Sequence, residues 1–300
     1  MEKIMENKKI GLIAKLALLA ATLIWGSSFI IVDDVVDVLP TNALLAIRFL
    51  SATLILSLVF HKRLKQLNRG YIWRGAVLGV LLFSAYMFQT FGISFPETTP
   101  GKNAFLTAVY CVMVPFFAWA VTKVRPDRFN IASALMCIVG IGLVSLTADF
   151  TMGIGDVLTL IGGVFYALHI IAVSKFSGGR DAMLLTLVQF ASSGICALIL
   201  SLTTESSRYA SVSLELPMIL GIAYLAVFCT SAALTFQNFG QKYTDPSTAS
   251  IILSLESVFG VAFSVALGAE SLTLRMVIGF ALIFVAVIVS ETKLEFLRRK

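Results

Sequence analysis

The sequence predicts an all-α membrane protein of ten transmembrane helices, arranged as two inverted-topology repeats of five helices each. Three observations lead there. Apolar runs long enough to cross a bilayer follow one another with short polar breaks between them. Lysine and arginine gather on alternate breaks. The stretch FQTFG at 88–92 returns as FQNFG at 236–240, an offset of 148 in a chain of 300 residues.

Composition sets the solvent. The chain is 58% hydrophobic and 13% charged, with a mean hydropathy of +0.92, whereas a soluble domain carries about 25% charged residues. A helix needs roughly 20 apolar residues to cross a hydrocarbon core of ~30 Å. Barrel strands would alternate in polarity over about ten residues, and these runs are apolar on all sides.

Taken in order, span 14–32 follows a lysine-rich start and closes at DDVVDVLPT. Span 41–60 begins after that proline and ends at HKRLKQLNRG. Span 71–93 stops at SFPETTPGK, and 101–122 starts from its second proline and ends at TKVRPDR. Spans 129–147 and 155–174 are separated by TADFTMGIGD. SKFSGGRD divides 155–174 from 182–202, and TTESSRY precedes 216–236. QKYTDPS then leads into 246–268, and GAESLTLR into 273–290. The continuation of the first run through FIIV after WGSSF argues against its being a cleaved leader.

Basic residues are retained on the cytoplasmic side of a membrane. With the N-terminus inside, the inner segments hold 19 of the 23 lysines and arginines, including Lys62, Arg63, Lys65, Arg69, Arg74, Arg298, Arg299 and Lys300. Lys102, Arg208 and Arg275 fall outside and Arg48 lies within a span, while Asp33, Asp34, Asp37, Asp149 and Asp156 fall on the outer side. The pattern predicts a multi-pass protein of the cytoplasmic (inner) membrane with both termini cytoplasmic. It also accounts for the net charge of +6 without a nucleic-acid partner.

The duplication extends beyond FQ-x-FG. Aligning Trp25 with Tyr166 sets Arg48 opposite Gln189 and Phe49 opposite Phe190. Further on, Val114 falls opposite Glu256 and Pro115 opposite Ser257, with a loop six residues longer in the first half. The repeats are 1–148 and 149–300. Five spans are an odd number, so the second repeat enters from the opposite side, a plan common in secondary transporters.

WGSSF in span 1, the Arg-Phe of span 2, FQTFGISFPETTPGKNAFLTAVYCVMVPFFAWAV, VGIGLVSL, Glu256 and GAESLTLRMVIGFALI together resemble the drug/metabolite transporter superfamily, as a chain of two EamA-type domains. The resemblance covers nearly the whole chain. It implies an exporter or facilitator of small metabolites, with a pathway between the halves lined mainly by spans 1, 3, 4, 6, 8 and 9. One departure is Glu256-Ser257, where that family usually has Glu-Pro. Pro115 supports a kink in span 4, and Ser257 leaves a matching kink in span 9 open.

The candidate pathway residues are Trp25, Ser28, Arg48, Tyr86, Gln89, Tyr166, His169, Gln237 and Glu256. Glu256 lies near the midplane, where a carboxylate is costly and functional by default. It either couples transport to protons, meets a cationic group, or fixes neighbouring spans. Arg48 either holds a substrate carboxylate, closes an outer gate with Asp33, Asp34 or Asp37, or snorkels to the interface. His169 shares a helix face with Tyr166 and either lines the pathway or is an interhelical hydrogen bonder near the inner end; Tyr86 shares a face with Gln89. Gln89 and Gln237 line the pathway or satisfy helix ends at Gly92 and Gly240. Lys102 either forms an outer gate or anion-attracting vestibule with Glu97 as partner, or is a simple interfacial lysine. GAVLG (75–79) offers a close-packing face used within the chain.

Cys111, Cys137, Cys196 and Cys229 each stand alone in an apolar run and read as packing residues. Without a phosphate-binding loop, H-E-x-x-H, G-x-S-x-G or TVGYG, the sequence predicts no enzyme, no cofactor and no resident metal. The partners expected are a small-molecule metabolite and membrane lipid, with the chain a monomer or homodimer. The leading reading is a carrier of amino acids or similar amphiphilic metabolites by alternating access. The others are an exporter of lipophilic cations, or a membrane enzyme or lipid-handling scaffold that transports nothing.

Overall fold

The computed structural model describes residues 2–123, 125–145, 153–213, 215–268, 271 and 273–293. The repeat boundary near 148, Asp149, Leu146 of VGIGLVSL, Ala269, Glu270 and Leu272 of GAESLTLR, and Arg298, Arg299 and Lys300 lie outside them. Among the described residues all regular structure is helical. The helices are α1 (Glu2–Val36), α2 (Thr41–Val59), α3 (Arg69–Ile93), α4 (Pro100–Thr107), α5 (Tyr110–Thr122), α6 (Arg128–Ser145), α7 (Ile154–Ser177) and α8 (Ala182–Thr204). They continue with α9 (Leu216–Tyr224), α10 (Ala233–Lys242), α11 (Pro246–Leu253), α12 (Leu255–Ala266) and α13 (Leu274–Thr292). Short 3₁₀ turns fill His61–Gln66 and Ser206–Ser211, and a π-helical segment, Leu225–Ala232, joins α9 to α10.

Taking α4 with α5, α9 with α10, and α11 with α12 as single paths, eight helical segments among the described residues are long and apolar enough to cross a membrane. Shorter apolar stretches lie within α6, at Arg128–Gly140, and α13, at Val277–Ala286. The starts follow the sequence signals. Asn68, Thr99, Asp181 and Asp245 each turn a side-chain oxygen onto the first free N–H groups of the helix that follows, and Pro100 and Pro246 sit at the first helical position, where no N–H is needed.

Burial is inverted relative to a soluble protein. Leu54 (62%), Leu58 (67%) and Leu220 (61%) are exposed, while Asp156, His169, Gln189 and Asn103 are fully enclosed. The outer surface is suited to hydrocarbon and the interior collects the polar groups, as an all-helical membrane protein requires. The multi-span reading of the sequence is thus met by the fold.

The packing pairs equivalent elements of the two halves, α2 on α8 and α6 on α13, and sets α4, the first part of span 4, on α12, the second part of span 9. It also places α3 along α7 and α10 along α1. The glycines of FQ-x-FG explain the last two contacts. A methyl group at Gly92 would lie 2.2 Å from Thr159 Oγ1 and 2.7 Å from the Gly155 carbonyl, on α7. At Gly240 it would lie 2.5 Å from Leu18 Cγ and 2.8 Å from the Ala14 carbonyl, on α1. In both halves the motif lets the third span approach the first span of the other half. The 75–79 face is likewise used inside the chain, with Ser193 Oγ donating to the Gly79 carbonyl at 2.9 Å.

Spans 4 and 9 both break, so the kink that Ser257 left open for span 9 is present. In span 4 the interruption falls between α4 and α5, before Pro115, where Cys111 and Val112 bond back three residues to Ala108 and Val109. In span 9 serines supply it: the Ser254 hydroxyl bonds the Ile251 carbonyl, and both the Ser257 hydroxyl and N–H bond the Ser254 carbonyl. Short hydroxyl side chains compete for backbone carbonyls and tighten the turn, so the missing proline does not keep the helix continuous.

The broken helices also reset the repeat register. α4 and α11 are both eight residues long, each led by a capping residue and a proline. Setting Pro100 on Pro246 gives an offset of 146, which pairs Tyr110 with Glu256 in place of Val114 with Glu256. The loop difference then shrinks from six residues to two.

Two polar links tie the connections together. Glu205, at the end of α8, accepts the Asn42 N–H at 3.0 Å, the Asn42 side-chain amide at 2.9 Å, the Ala43 N–H at 3.1 Å and Ser201 Oγ at 3.1 Å. It caps α2 across the halves, where Pro40 has no capping side chain. Glu205→Ala should lower stability by about 2–4 kcal/mol through the freed N–H groups, measured as a fall in the unfolding midpoint in detergent. Glu205→Gln should lose less.

Asp127, between α5 and α6, is the second link. Partial burial pushes its carboxyl up, but the Lys293 ammonium at 2.7 Å and the N–H groups of Asn130 and Phe129 outweigh that and hold it below its ordinary 3.8. A depressed carboxyl stabilises above its unfolded value, and that gain disappears as pH falls through the folded value. Lys293→Met should therefore flatten the acid limb of a stability profile below about pH 4. The change near neutrality should be small, since both groups are partly exposed.

Candidate functional site

A central cavity with about 560 Å³ of space not filled by atoms lies among α1, α2, α3, α4, α5, α7, α10, α11 and α12. Eight of the nine candidate residues line it: Trp25, Ser28, Arg48, Tyr86, Gln89, Tyr166, Gln237 and Glu256. They are joined by Phe29, Val32, Thr90, Ile93, Asn103, Tyr110, Ile170 and Leu253.

His169 does not line it. Tyr166 and Ile170 face the cavity, and His169 is turned a further part of a helical turn toward α8. It is fully buried there, beside Gln189 but out of good hydrogen-bond geometry at either ring nitrogen. Gln189, the repeat mate of Arg48, points away as well, and accepts from Asn238 Nδ2 at 3.3 Å. Arg48 is turned into the cavity and its mate is turned out.

Arg48 is 2% exposed. Its Nε donates to Thr230 Oγ1 at 3.0 Å, and its guanidinium carbon stands 5.0 Å from the centre of the Tyr86 ring. Thr230 belongs to the π-helical segment, where Thr230 and Ser231 bond their hydroxyls to the carbonyls of Leu225 and Ala226, five residues back. Such a segment widens the helix and is frequent at functional sites. Here it brings a hydroxyl to the arginine. The two terminal nitrogens of Arg48 have no hydrogen-bond acceptor among the described residues. Among the described residues no ion pair joins Arg48 to Asp34 or Asp37.

Glu256 sits in the first turn of α12, just after the break at Ser254. A carboxylate is favoured there because the free N–H groups and dipole of the half-helix face it. Tyr110, in the first turn of α5, donates to its Oε1 at 3.0 Å. The two helix breaks thus present their first-turn residues to each other across the halves. Glu256 Oε2 has no donor among the described residues, and no ion pair joins Glu256 to Arg48.

Between the two charges runs a tyrosine wall. Tyr86 meets Tyr166 edge-on with centres 5.5 Å apart, Tyr110 lies 6.2 Å from Tyr166, and Phe49 backs Tyr86 at 5.3 Å. Trp25 closes one side, its Nε1 donating to the Cys229 carbonyl at 2.7 Å.

One end of the cavity is braced by polar groups. Lys102 pairs with Asp156 at 2.6 Å, and Thr98 donates to the other oxygen of Asp156 at 2.9 Å. Glu97, the partner in one of the two readings of Lys102, supplies it only a carbonyl, at 3.4 Å. Asn103 Nδ2 donates to Thr159 Oγ1 at 2.7 Å. Sequence reasoning missed Tyr110 and Thr230. The Thr-Pro and Asp-Pro helix starts carried the signal for the first. No local sequence rule marks the π segment that delivers the second.

Comparison with known proteins agrees with this architecture. A crystal structure matches with a TM-score of 0.75 at 16% identity, covering 93% of this chain and 98% of the other, which speaks to the fold alone. A relative from Archaeoglobus fulgidus named an uncharacterized transporter is 33% identical over 279 residues, covering 93% of this chain and 85% of its own. A second uncharacterized transporter from that organism is 25% identical over 258 residues, covering 82% of this chain and 86% of its own. The model of the EamA-like transporter family matches twice, over residues 12–146 and 153–292. The chain therefore belongs to the EamA-like transporter family and is a multi-pass membrane transporter of small molecules.

Proposed function

We propose that the protein exports a small zwitterionic metabolite, an amino acid or a close relative, by alternating access across the cytoplasmic membrane. The observation that carries this reading is one cavity containing Arg48 with two unengaged nitrogens and Glu256 with one unengaged oxygen, with no ion pair between them. Opposite charges left apart in a low-dielectric space are costly, and a zwitterion would satisfy both. The aromatic wall then meets an apolar side chain.

Transport follows from the inverted plan. In this reading α6 and α13 are the fifth spans of the two repeats, and their packing on one another supports a total of ten. With both termini cytoplasmic, Arg63–Asp181 and Lys293–Asp127 pair on the inner side. Lys102–Asp156 and the Glu205 cap then fall on the outer side. Equivalent helices facing each other across the halves support rocking of one half on the other.

The test is thermal stabilisation of the purified protein by L-leucine, isoamylamine (its decarboxylated form), isovalerate and tetraphenylphosphonium. Stabilisation grows as RT ln(1 + [L]/Kd), about 2.7 kcal/mol at 100 times Kd. L-leucine should exceed both single-charge analogues. If tetraphenylphosphonium alone stabilises, the zwitterion reading gives way to a lipophilic-cation exporter. Counterflow in proteoliposomes then checks transport and its direction.

A further inference from the structure

Each copy of FQ-x-FG contributes a glutamine to the cavity, and the two glutamines are used differently. Gln89 is fully engaged. Its Nε2 donates to Thr107 Oγ1 at 2.9 Å, its Oε1 accepts from Tyr166 at 2.9 Å, and its carbonyl accepts from Asn103 at 3.1 Å. Gln237 lines the same cavity at 3% exposure, yet neither end of its amide has a hydrogen-bond partner among the described residues. The backbones around them do the same work, since Gly92 and Gly240 pack equally tightly. The contrast therefore belongs to the side chains.

A buried amide without partners destabilises a fold, and leucine would fill the same space without that penalty. The chemistry of the cavity identifies what the amide lacks. Arg48 offers two free nitrogens to an anion, which is enough for a carboxylate. The cationic end is short of acceptors: an ammonium has three N–H groups, and Glu256 has one oxygen already bonded to Tyr110.

We propose that Gln237 contacts the transported solute as an additional acceptor for a primary ammonium, and that Gln89 is a positioning residue that holds the tyrosine wall. This deepens the zwitterion reading of the same cavity and rests on it. The substrate class narrows to zwitterions with an unmethylated amine.

The experiment measures unfolding midpoints of the full chain with and without L-leucine and N,N,N-trimethyl-leucine, for wild type, Gln237→Leu, Gln237→Asn and Gln89→Leu. In wild type, trimethylation should weaken binding roughly tenfold, since hydrogen bonds to a charged group are lost. In Gln237→Leu the difference should shrink to about threefold, the share that Glu256 still supplies, and Gln237→Asn should restore part of what is lost. Without ligand, Gln237→Leu should leave the midpoint unchanged or raised, and Gln89→Leu should lower it.

The inference is overturned if Gln237→Leu keeps the full preference for L-leucine. It is equally overturned if that variant loses as much stability as Gln89→Leu, which would make Gln237 a structural residue. Failure of L-leucine to stabilise wild type, with tetraphenylphosphonium doing so, instead removes the zwitterion reading and this inference with it.

Discussion

Arg48→Gln should weaken binding of L-leucine by roughly 10- to 100-fold while leaving isoamylamine binding within about twofold, because hydrogen bonds to a charged partner contribute about 1.5–3 kcal/mol. The argument is one of unengaged atoms. Arg48 uses only Nε within the protein, on Thr230, and leans on Tyr86. Thr230 keeps its bond to the Leu225 carbonyl when the arginine is removed, so no new unsatisfied hydroxyl appears. The repeat mate is Gln189, so the substitution installs the residue that the other half already accommodates. Arg48→Lys should recover only part of the loss, since a point charge replaces a two-pronged donor. If Arg48→Gln retained the preference for L-leucine over isoamylamine, Arg48 would not be the carboxylate partner.

Glu256→Gln should reduce transport in proteoliposomes at least about tenfold, for the loss of a charged hydrogen-bond partner, and flatten its dependence on pH. Glutamine keeps the shape and still accepts from Tyr110, so the helix breaks that meet there should persist. What it removes is the counter-charge to a bound ammonium and the ability to take up a proton. Unfolding midpoints near those of wild type would separate this from a folding defect. Unchanged transport with unchanged pH dependence would exclude proton coupling at Glu256 and leave it a bracing residue for spans 4 and 9.

Much of the fold was legible because the bilayer leaves few options. Helix ends lie close to the polar breaks: Asn68, Thr99, Asp181 and Asp245 are both the turn signals in the sequence and the caps in the structure. Eight of nine pathway candidates meet in one cavity, since polar side chains in a span have little choice but to face inward. Errors came where apolar text carries little information. The register of spans 4 and 9 slipped by four residues because valine, phenylalanine and alanine align almost anywhere, whereas the capped prolines at 100 and 246 do not. His169 falls outside the cavity lining because a shared helix face spans a wide arc, and rotation by a fraction of a turn decides which neighbour a side chain meets.

The residues themselves determined a helical membrane protein, its two halves, and the short list of polar groups that must find partners away from lipid. Hydrophobic length, charge asymmetry and duplication are local or periodic properties, so they survive in a single sequence. Which of those polar groups are already satisfied was decided only by tertiary packing. Gln89 and Gln237 occupy identical motifs, yet only Gln89 finds Thr107 and Tyr166 within reach. Arg48 and Glu256 stand unpaired in a common cavity because a π segment and two broken helices bring Thr230 and Tyr110 to them from distant parts of the chain. A hydrogen bond is a matter of a few tenths of an ångström between such parts, and no local pattern encodes it.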